Sequence, residues 1–387
     1  MPRLGRRRFT ALAAAGLFGL AHVRARAFHQ ALQQTGLKDV FKDDFLIGTA
    51  VDGCTVDDPS TPLAQLVARE FNAITPTNMM KWGPLEPREG EWQWAGPDRL
   101  VEFGAAHGMT VVGHTLVWHS QTPRWLFVDE QNAPVSKERL LKRIETRIQA
   151  LVGRYQGRVA IWDVVNEAID EDEKGWRQSP FLTIAGPEFV ERAFRLAHEA
   201  DPKATLLYND YNEHNPGRRR FLVDVIRDYK RRGVPIHGVG FQGHVGLAYP
   251  DLAEYEKSLQ AIAAEGLRVH VTELDVDVLP RASGYTGAEI STNFELSEKL
   301  NPWKTGLPAE IDEQLTARYR QLFALFLKYR ETIARVSTWG TFDGESWKNN
   351  FPVRGRTNYP LLFDRQLQPK AAYAGLVALK ARGADRD

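Results

Sequence analysis

The sequence predicts an α/β protein built as one closed (β/α)8 barrel, the TIM-barrel class. Three observations point there. Eight short runs rich in β-branched and aromatic residues recur along the chain. Longer stretches with helical periodicity separate them. Polar and aromatic residues gather just after the runs, where such a barrel places its chemistry. An open, doubly wound sheet is the alternative arrangement of the same units.

The eight runs are Phe45 to Val51, Asn72 to Thr75, Met109 to Thr115, Val159 to Val165, Thr205 to Asn209, His237 to Gln242, Val269 to Thr272 and Val336 to Trp339. Short, largely apolar segments of this kind suit strands buried on both faces. The helical stretches are Pro62 to Phe71, Gly96 to His107, Lys137 to Tyr155, Glu188 to Ala200, Gly217 to Gly233, Leu252 to Gly266 and Ile311 to Tyr329. Ser136 is placed to cap one helix start, with Arg139 at the third position, and Gly108 and Gly266 fall just past helix ends. The segment from Asp277 to Glu310, between the seventh strand and its helix, carries Tyr285, Asn293, Phe294 and Trp303. A loop that long is usually functional.

A chain of 387 residues with formal net charge +1 has ample core material and no electrostatic need for nucleic acid. A neutral polymer or a small molecule suits that balance. The single cysteine, Cys54, excludes an intrachain disulfide and reads as a small apolar residue at a strand end. The first 27 residues read as a twin-arginine-type signal peptide. Arg6, Arg7, Arg8 and Phe9 form a basic start, Ala11 to Ala21 an apolar stretch too short to span a bilayer, and Ala25-Arg26-Ala27 a cleavage site. The expectation is export to the periplasm or medium, with a catalytic domain over residues 28–387.

A barrel predicts functional residues at the C-terminal ends of several strands. Read in order, those ends carry Asn78 and Lys81-Trp82; His114, Trp118, His119 and Gln121; Asn166-Glu167; Asn209-Asp210-Tyr211; Gln242 and His244; Glu273 and Asp275; and Trp339, Asp343 and Trp347. Amides and carboxylates bond hydroxyl groups, and flat rings cover the apolar faces of sugars. Glu167 and Glu273 each follow an apolar run, where a carboxylate is costly unless paired or used. Glycoside hydrolysis needs two such groups, one protonated acid and one ionised nucleophile. Glu273 and Asp275 share a face of an extended segment, as do Gln242 and His244, so His244 can bridge the two carboxylates.

Competing motifs are weaker. Gly238 to Gly243 matches G-x-G-x-x-G but lies inside a strand and opens no helix. His114 and His119 are badly spaced for a metal pair, and no cysteine or carboxylate completes a site, so no metal and no cofactor is expected. Arg218-Arg219-Arg220 and Lys230-Arg231-Arg232 read as a solvated helix face.

The segments AITPTNMMKW, VGHTLVWHSQTPRW, WDVVNEA, LYNDYN, GFQGHV, VTELDV and WGTFDGESW, in that order, resemble glycoside hydrolase family 10, whose members are mostly endo-β-1,4-xylanases. The resemblance runs from about Phe41 to Leu379. It implies Glu167 as acid/base, Glu273 as nucleophile, and Asn166 as the partner of the sugar 2-hydroxyl. It implies His244 and Asp275 as supports of the nucleophile. Asn78, Lys81, His114, Trp118 and Gln121 resemble the glycone-side subsites, and Trp339 and Trp347 the indole walls beside them. Tyr211 and Gln242 are expected at the centre and leaving-group side. The family often has a glutamate where this chain has Thr77, which puts the outer glycone contact in doubt. The implied enzyme is a retaining endo-1,4-β-xylanase acting on xylan and xylo-oligosaccharides. It is expected to be monomeric and, after signal cleavage, free of membrane. Its carboxyl separation is expected to be about 5–5.5 Å. Alternatives are a β-1,4-glucanase or mixed xylanase/cellulase on the same barrel, and a non-catalytic xylan-binding barrel.

Overall fold

A computed structural model describes residues 35–170 and 175–384. The signal-peptide reading and the start at Phe28 lie outside the described residues. Strands are β1 Leu46–Val51, β2 Ala73–Pro76, β3 Thr110–Trp118, β4 Ile161–Asn166, β5 Thr205–Asp210, β6 Gly238–Phe241, β7 His244–Gly246, β8 Arg268–Asp277 and β9 Ile333–Thr338. All neighbouring pairs are parallel, and the order β6-β5-β4-β3-β2-β1-β9-β8 is closed by β6 pairing with β8. The eight-stranded barrel is therefore complete, and the open-sheet alternative is excluded. The three-residue β7 adds an unforeseen ninth strand, paired to the outer end of β8 through His244↔Asp275.

The long helices are α1 Pro62–Glu70, α2 Ala95–Ala106, α3 Lys137–Arg154, α4 Glu188–Ala200, α5 Pro216–Arg231, α6 Leu252–Ala264, α7 Ala309–Lys328 and α8 Ala371–Ala384. One follows each barrel strand. Their apolar faces explain the layer they form. In α4, Phe189, Val190, Ala193, Phe194, Leu196 and Ala197 are buried, a stripe at helical spacing against the sheet. The Ser136 hydroxyl accepts the Arg139 amide at 3.3 Å, and Gly108 and Gly266 take φ 63° and 71°, as their positions demand. None of the described helices is long and apolar enough to cross a membrane.

Three expectations need correction. β3 and β8 run on to Trp118 and Asp277, so Glu273 and Asp275 stand on a strand. Cys54 does not end a strand but sits exposed in the helical turn Gly53–Asp57, where its thiol donates to Asp52 at 2.7 Å. Arg218 is no part of a solvated face: it is buried and ion-paired to Asp210 at 2.5 Å. The helix α5 turns that residue inward, and the buried aspartate at the end of β5 needs a counter-charge. The long loop from β8 to α7 is present as expected, broken only by short turns at Ala282–Gly284 and Glu298–Leu300.

Candidate active site

Strand register sets the site. Trp118, Asn166 and Asn209 lie side by side across β3, β4 and β5, and Gly240 follows on β6. The glycine is required there. A Cβ on Gly240 would come within 2.2 Å of the Asn209 amide oxygen. Its absence lets that amide lie across the barrel mouth, which gives the misleading glycine pattern in β6 a structural reason.

The cavity at this mouth is lined by Asn78, Lys81, His114, Trp118, Gln121, Asn166, Glu167, Gln242, His244, Glu273, Trp339 and Trp347. Of the site residues read from the sequence, only Asp275 and Tyr211 are absent from that lining. Asp275 lies directly behind, as a supporting residue should. Tyr211 is a correction. Its ring is buried, its hydroxyl accepts from Arg177 at 2.6 Å, and the Arg218 guanidinium lies 5.1 Å from its centroid. The residue after the β5 terminus turns under the rim, not into the cleft.

Both carboxyls are buried and held on each oxygen. Glu167 Oε2 accepts the Trp118 indole N–H at 2.8 Å, and Oε1 accepts the amides of Asn166 at 3.1 Å and Gln242 at 2.8 Å. Glu273 Oε1 accepts the Asn209 amide at 2.8 Å, while Oε2 faces His244 Nε2 at 3.2 Å. The Asn209 amide also donates to Asn166 Oδ1 at 2.9 Å, so one amide chain links the two carboxyl groups. Glu167 itself takes φ 57°, a left-handed conformation that non-glycine residues hold only when their surroundings impose it.

Their acidities diverge. Burial pushes Glu167 above the ordinary carboxylate range; His119 and the Gln242 amide pull it back without reversing the shift, and Asp210 and Glu273 add to it. Burial pushes Glu273 up too, but the His244 hydrogen bond, the fields of His114 and His244, and the Asn209 amide outweigh it. Glu273 ends below its ordinary value. His244 is the main lever. Burial disfavours its cation, yet the Asp275 charge and hydrogen bonds to Asp275 and Glu273 raise it to about 9. Its Nδ1 sits 3.0 Å from Asp275 Oδ2, so it bridges both carboxylates as the sequence suggested. Trp347 donates its indole N–H to the same Asp275 oxygen at 2.7 Å.

Lys81 anchors the other end. Its ammonium donates to Gln121 at 2.9 Å and Asn78 at 3.3 Å and lies over the Trp118 ring at 4.7 Å. Burial lowers it to about 8, against the opposing pull of Glu273 and Glu167. His114 is fixed by Asp163 at 2.9 Å and packs edge-on to Trp339. Thr77 turns its hydroxyl to the Val51 carbonyl at 3.3 Å, and the nearby cavity wall holds Asp52 and Glu345. Burial raises Glu345 to about 7.

Several residues here were not foreseen: Asn209 as the amide link, Asp163 behind His114, Arg177, Asp52 and Glu345. Asn209 carries the strand-end signal, and Asp163 and Glu345 fall within segments that resemble the family; Arg177 and Asp52 carry none. Among the described residues, no group of three or more His, Cys, Asp or Glu side chains is arranged to hold a metal ion.

Two buried carboxyls with opposed acidities, at the mouth of a parallel barrel and among indoles and amides, define a glycoside hydrolase. The chain belongs to glycosyl hydrolase family 10, whose model matches residues 36–379. It is 41% identical to endo-1,4-beta-xylanase A of Xylanibacter ruminicola over 90% of this chain and 94% of that protein. It is 39% identical to an endo-1,4-beta-xylanase of Geobacillus stearothermophilus, covering 87% and 96% of the two chains. Among solved structures, a GH10 endoxylanase from a sugarcane soil metagenome superposes with a TM-score of 0.86 at 50% identity, covering 89% of this chain and all 100% of that one.

Proposed function

We infer that this chain is a retaining endo-1,4-β-xylanase that cuts internal bonds of xylan by double displacement. The observation that carries the reading is the pair of buried carboxyls at the barrel mouth joined by one amide chain, with burial pushing Glu167 above its ordinary value and His244 and Asn209 holding Glu273 below it. Glu273 attacks the anomeric carbon while Glu167 gives its proton to the leaving oxygen. The glycosyl-enzyme is then hydrolysed by a water that Glu167, now a base, deprotonates. Asn166 offers its amide beside Glu167 to the 2-hydroxyl of the sugar under attack. His244 and Asp275 hold Glu273 in place. Asn78, Lys81, His114, Trp118, Gln121, Trp339 and Trp347 hold the glycone, and Gln242 braces the proton donor. No step requires a cofactor.

The substrate class follows from the relatives. One similar structure, a xylanase of Thermoanaerobacterium saccharolyticum at 34% identity and TM-score 0.76, is a mutant complex with xylotriose. The first experiment is product release from glucuronoarabinoxylan and xylo-oligosaccharides by wild type and Glu273→Ala. Short xylo-oligosaccharides from wild type, and a loss of several orders of magnitude in the variant, support the reading. Wild type that binds xylan without cutting it overturns it. Activity on carboxymethylcellulose equal to that on xylan would favour the mixed xylanase/cellulase.

The basic and apolar start of the chain supports export by the twin-arginine route. N-terminal sequencing of exported protein should begin near Phe28, and an intact Met1 in cytoplasmic material would refute it. Sedimentation is expected to give a monomer.

A further inference from the structure

The long loop between β8 and α7 reaches the barrel mouth, where Ala288 and Ile290 line the cavity. Between them stands Glu289. Its Oε2 accepts from His119 Nε2 at 2.8 Å and from the Arg177 guanidinium at 3.0 Å. Its Oε1 accepts from the Ser291 amide at 3.2 Å and the Ser291 hydroxyl at 3.1 Å. The hydrogen bond from His119, together with the His119 charge, the Ser291 amide and Arg177, overcomes partial burial and holds this carboxyl at about 2.

Both partners of Glu289 bear on Glu167. Arg177 Nε donates to the Glu167 backbone carbonyl at 2.8 Å, and another of its nitrogens donates to Tyr211 at 2.6 Å. The guanidinium thus braces the main chain of a residue that holds a left-handed φ of 57° to aim its carboxyl. His119 follows Trp118, whose indole N–H fixes Glu167 Oε2 at 2.8 Å. A partly buried guanidinium without its carboxylate would seek other acceptors.

We propose that Glu289 is a positioning residue, fastening Arg177 and His119 so that Glu167 is aimed at the leaving oxygen. The proposal rests on the reading of Glu167 as proton donor. It says that the long loop contributes to acid catalysis and is more than a wall of the cleft. Loss of Glu289 should therefore slow reactions in which the leaving oxygen must be protonated and spare those in which it need not be.

The test uses Glu289→Ala and Glu289→Gln, with kcat/KM measured on xylohexaose and on dinitrophenyl β-xylobioside. Dinitrophenolate leaves without a proton, so the second substrate reports attack by Glu273 alone. In Glu289→Ala, kcat/KM on xylohexaose should fall roughly tenfold or more, and on the aryl substrate by less than about twofold. Glu289→Gln keeps an oxygen that can accept from Arg177 and should recover part of the loss; it carries the same comparison if the alanine variant does not fold. Equal losses on both substrates, or no loss on xylohexaose, overturn the proposal. Wild type that cleaves neither substrate would instead overturn the xylanase reading beneath it.

Discussion

Replacing His244 by glutamine tests the electrostatics of the nucleophile. In the native protein a buried imidazolium stands between Glu273 at 3.2 Å and Asp275 at 3.0 Å. Moving that group from 6.5 to about 9 corresponds to about 3 kcal/mol of favourable interaction, net of burial. Glutamine keeps a donor but removes the charge. Shared between the two carboxylates, that loss raises the pKa of Glu273 by roughly one unit. The acid limb of kcat/KM should therefore move up by roughly one pH unit. Dinitrophenyl β-xylobioside is the right substrate, because its rate depends on ionised Glu273 and not on the proton of Glu167. An acid limb that stays where wild type has it would contradict this, since Glu273 would then owe its lowered pKa to the Asn209 amide and the field of His114 without His244.

The same histidine sets a pH dependence of stability. Its folded pKa is raised, so its contribution is full below about 6.5 and lost as pH rises through about 9; wild-type Tm should fall across that window more than Tm of His244→Gln. Glu167→Ala should lower kcat/KM on xylohexaose by about 10²–10⁴-fold while sparing dinitrophenyl β-xylobioside, and added azide should then yield β-xylobiosyl azide. Asn209→Ala removes donors to Glu273 and Asn166, and urea unfolding should show a loss of about 1–3 kcal/mol. Arg218→Ala leaves Asp210 buried without its cation, and the same assay should show about 3–5 kcal/mol lost.

Much of this molecule was legible in the amino-acid order, for identifiable reasons. Barrel strands are buried on both faces, so their apolar runs stand out, and the rule that chemistry sits at their C-terminal ends led directly to Glu167 and Glu273. Polar residues also blur one boundary: the apolar run of β8 ends at Thr272 because Glu273 and Asp275 follow with polar side chains that are nonetheless buried. The helix α8 escaped notice because its alanine-rich sequence carries no sharp apolar stripe. Tyr211 and Arg218 were misplaced together. Each is the buried partner of a group that only the folded chain brings near, and neither neighbour in sequence reveals it. Glu289 had no local signal at all, since its meaning lies in His119 and Arg177, which belong to other turns of the barrel.

A retaining reaction run by two buried carboxyls fixes the stereochemistry of the first product. Proton NMR of xylohexaose during the first minutes of cleavage should show the β-anomer of the new reducing end appearing first, with the α-anomer growing only by mutarotation. Initial appearance of the α-anomer would mean single displacement by water. It would contradict Glu273 as nucleophile and the carboxyl separation of about 5–5.5 Å that double displacement requires.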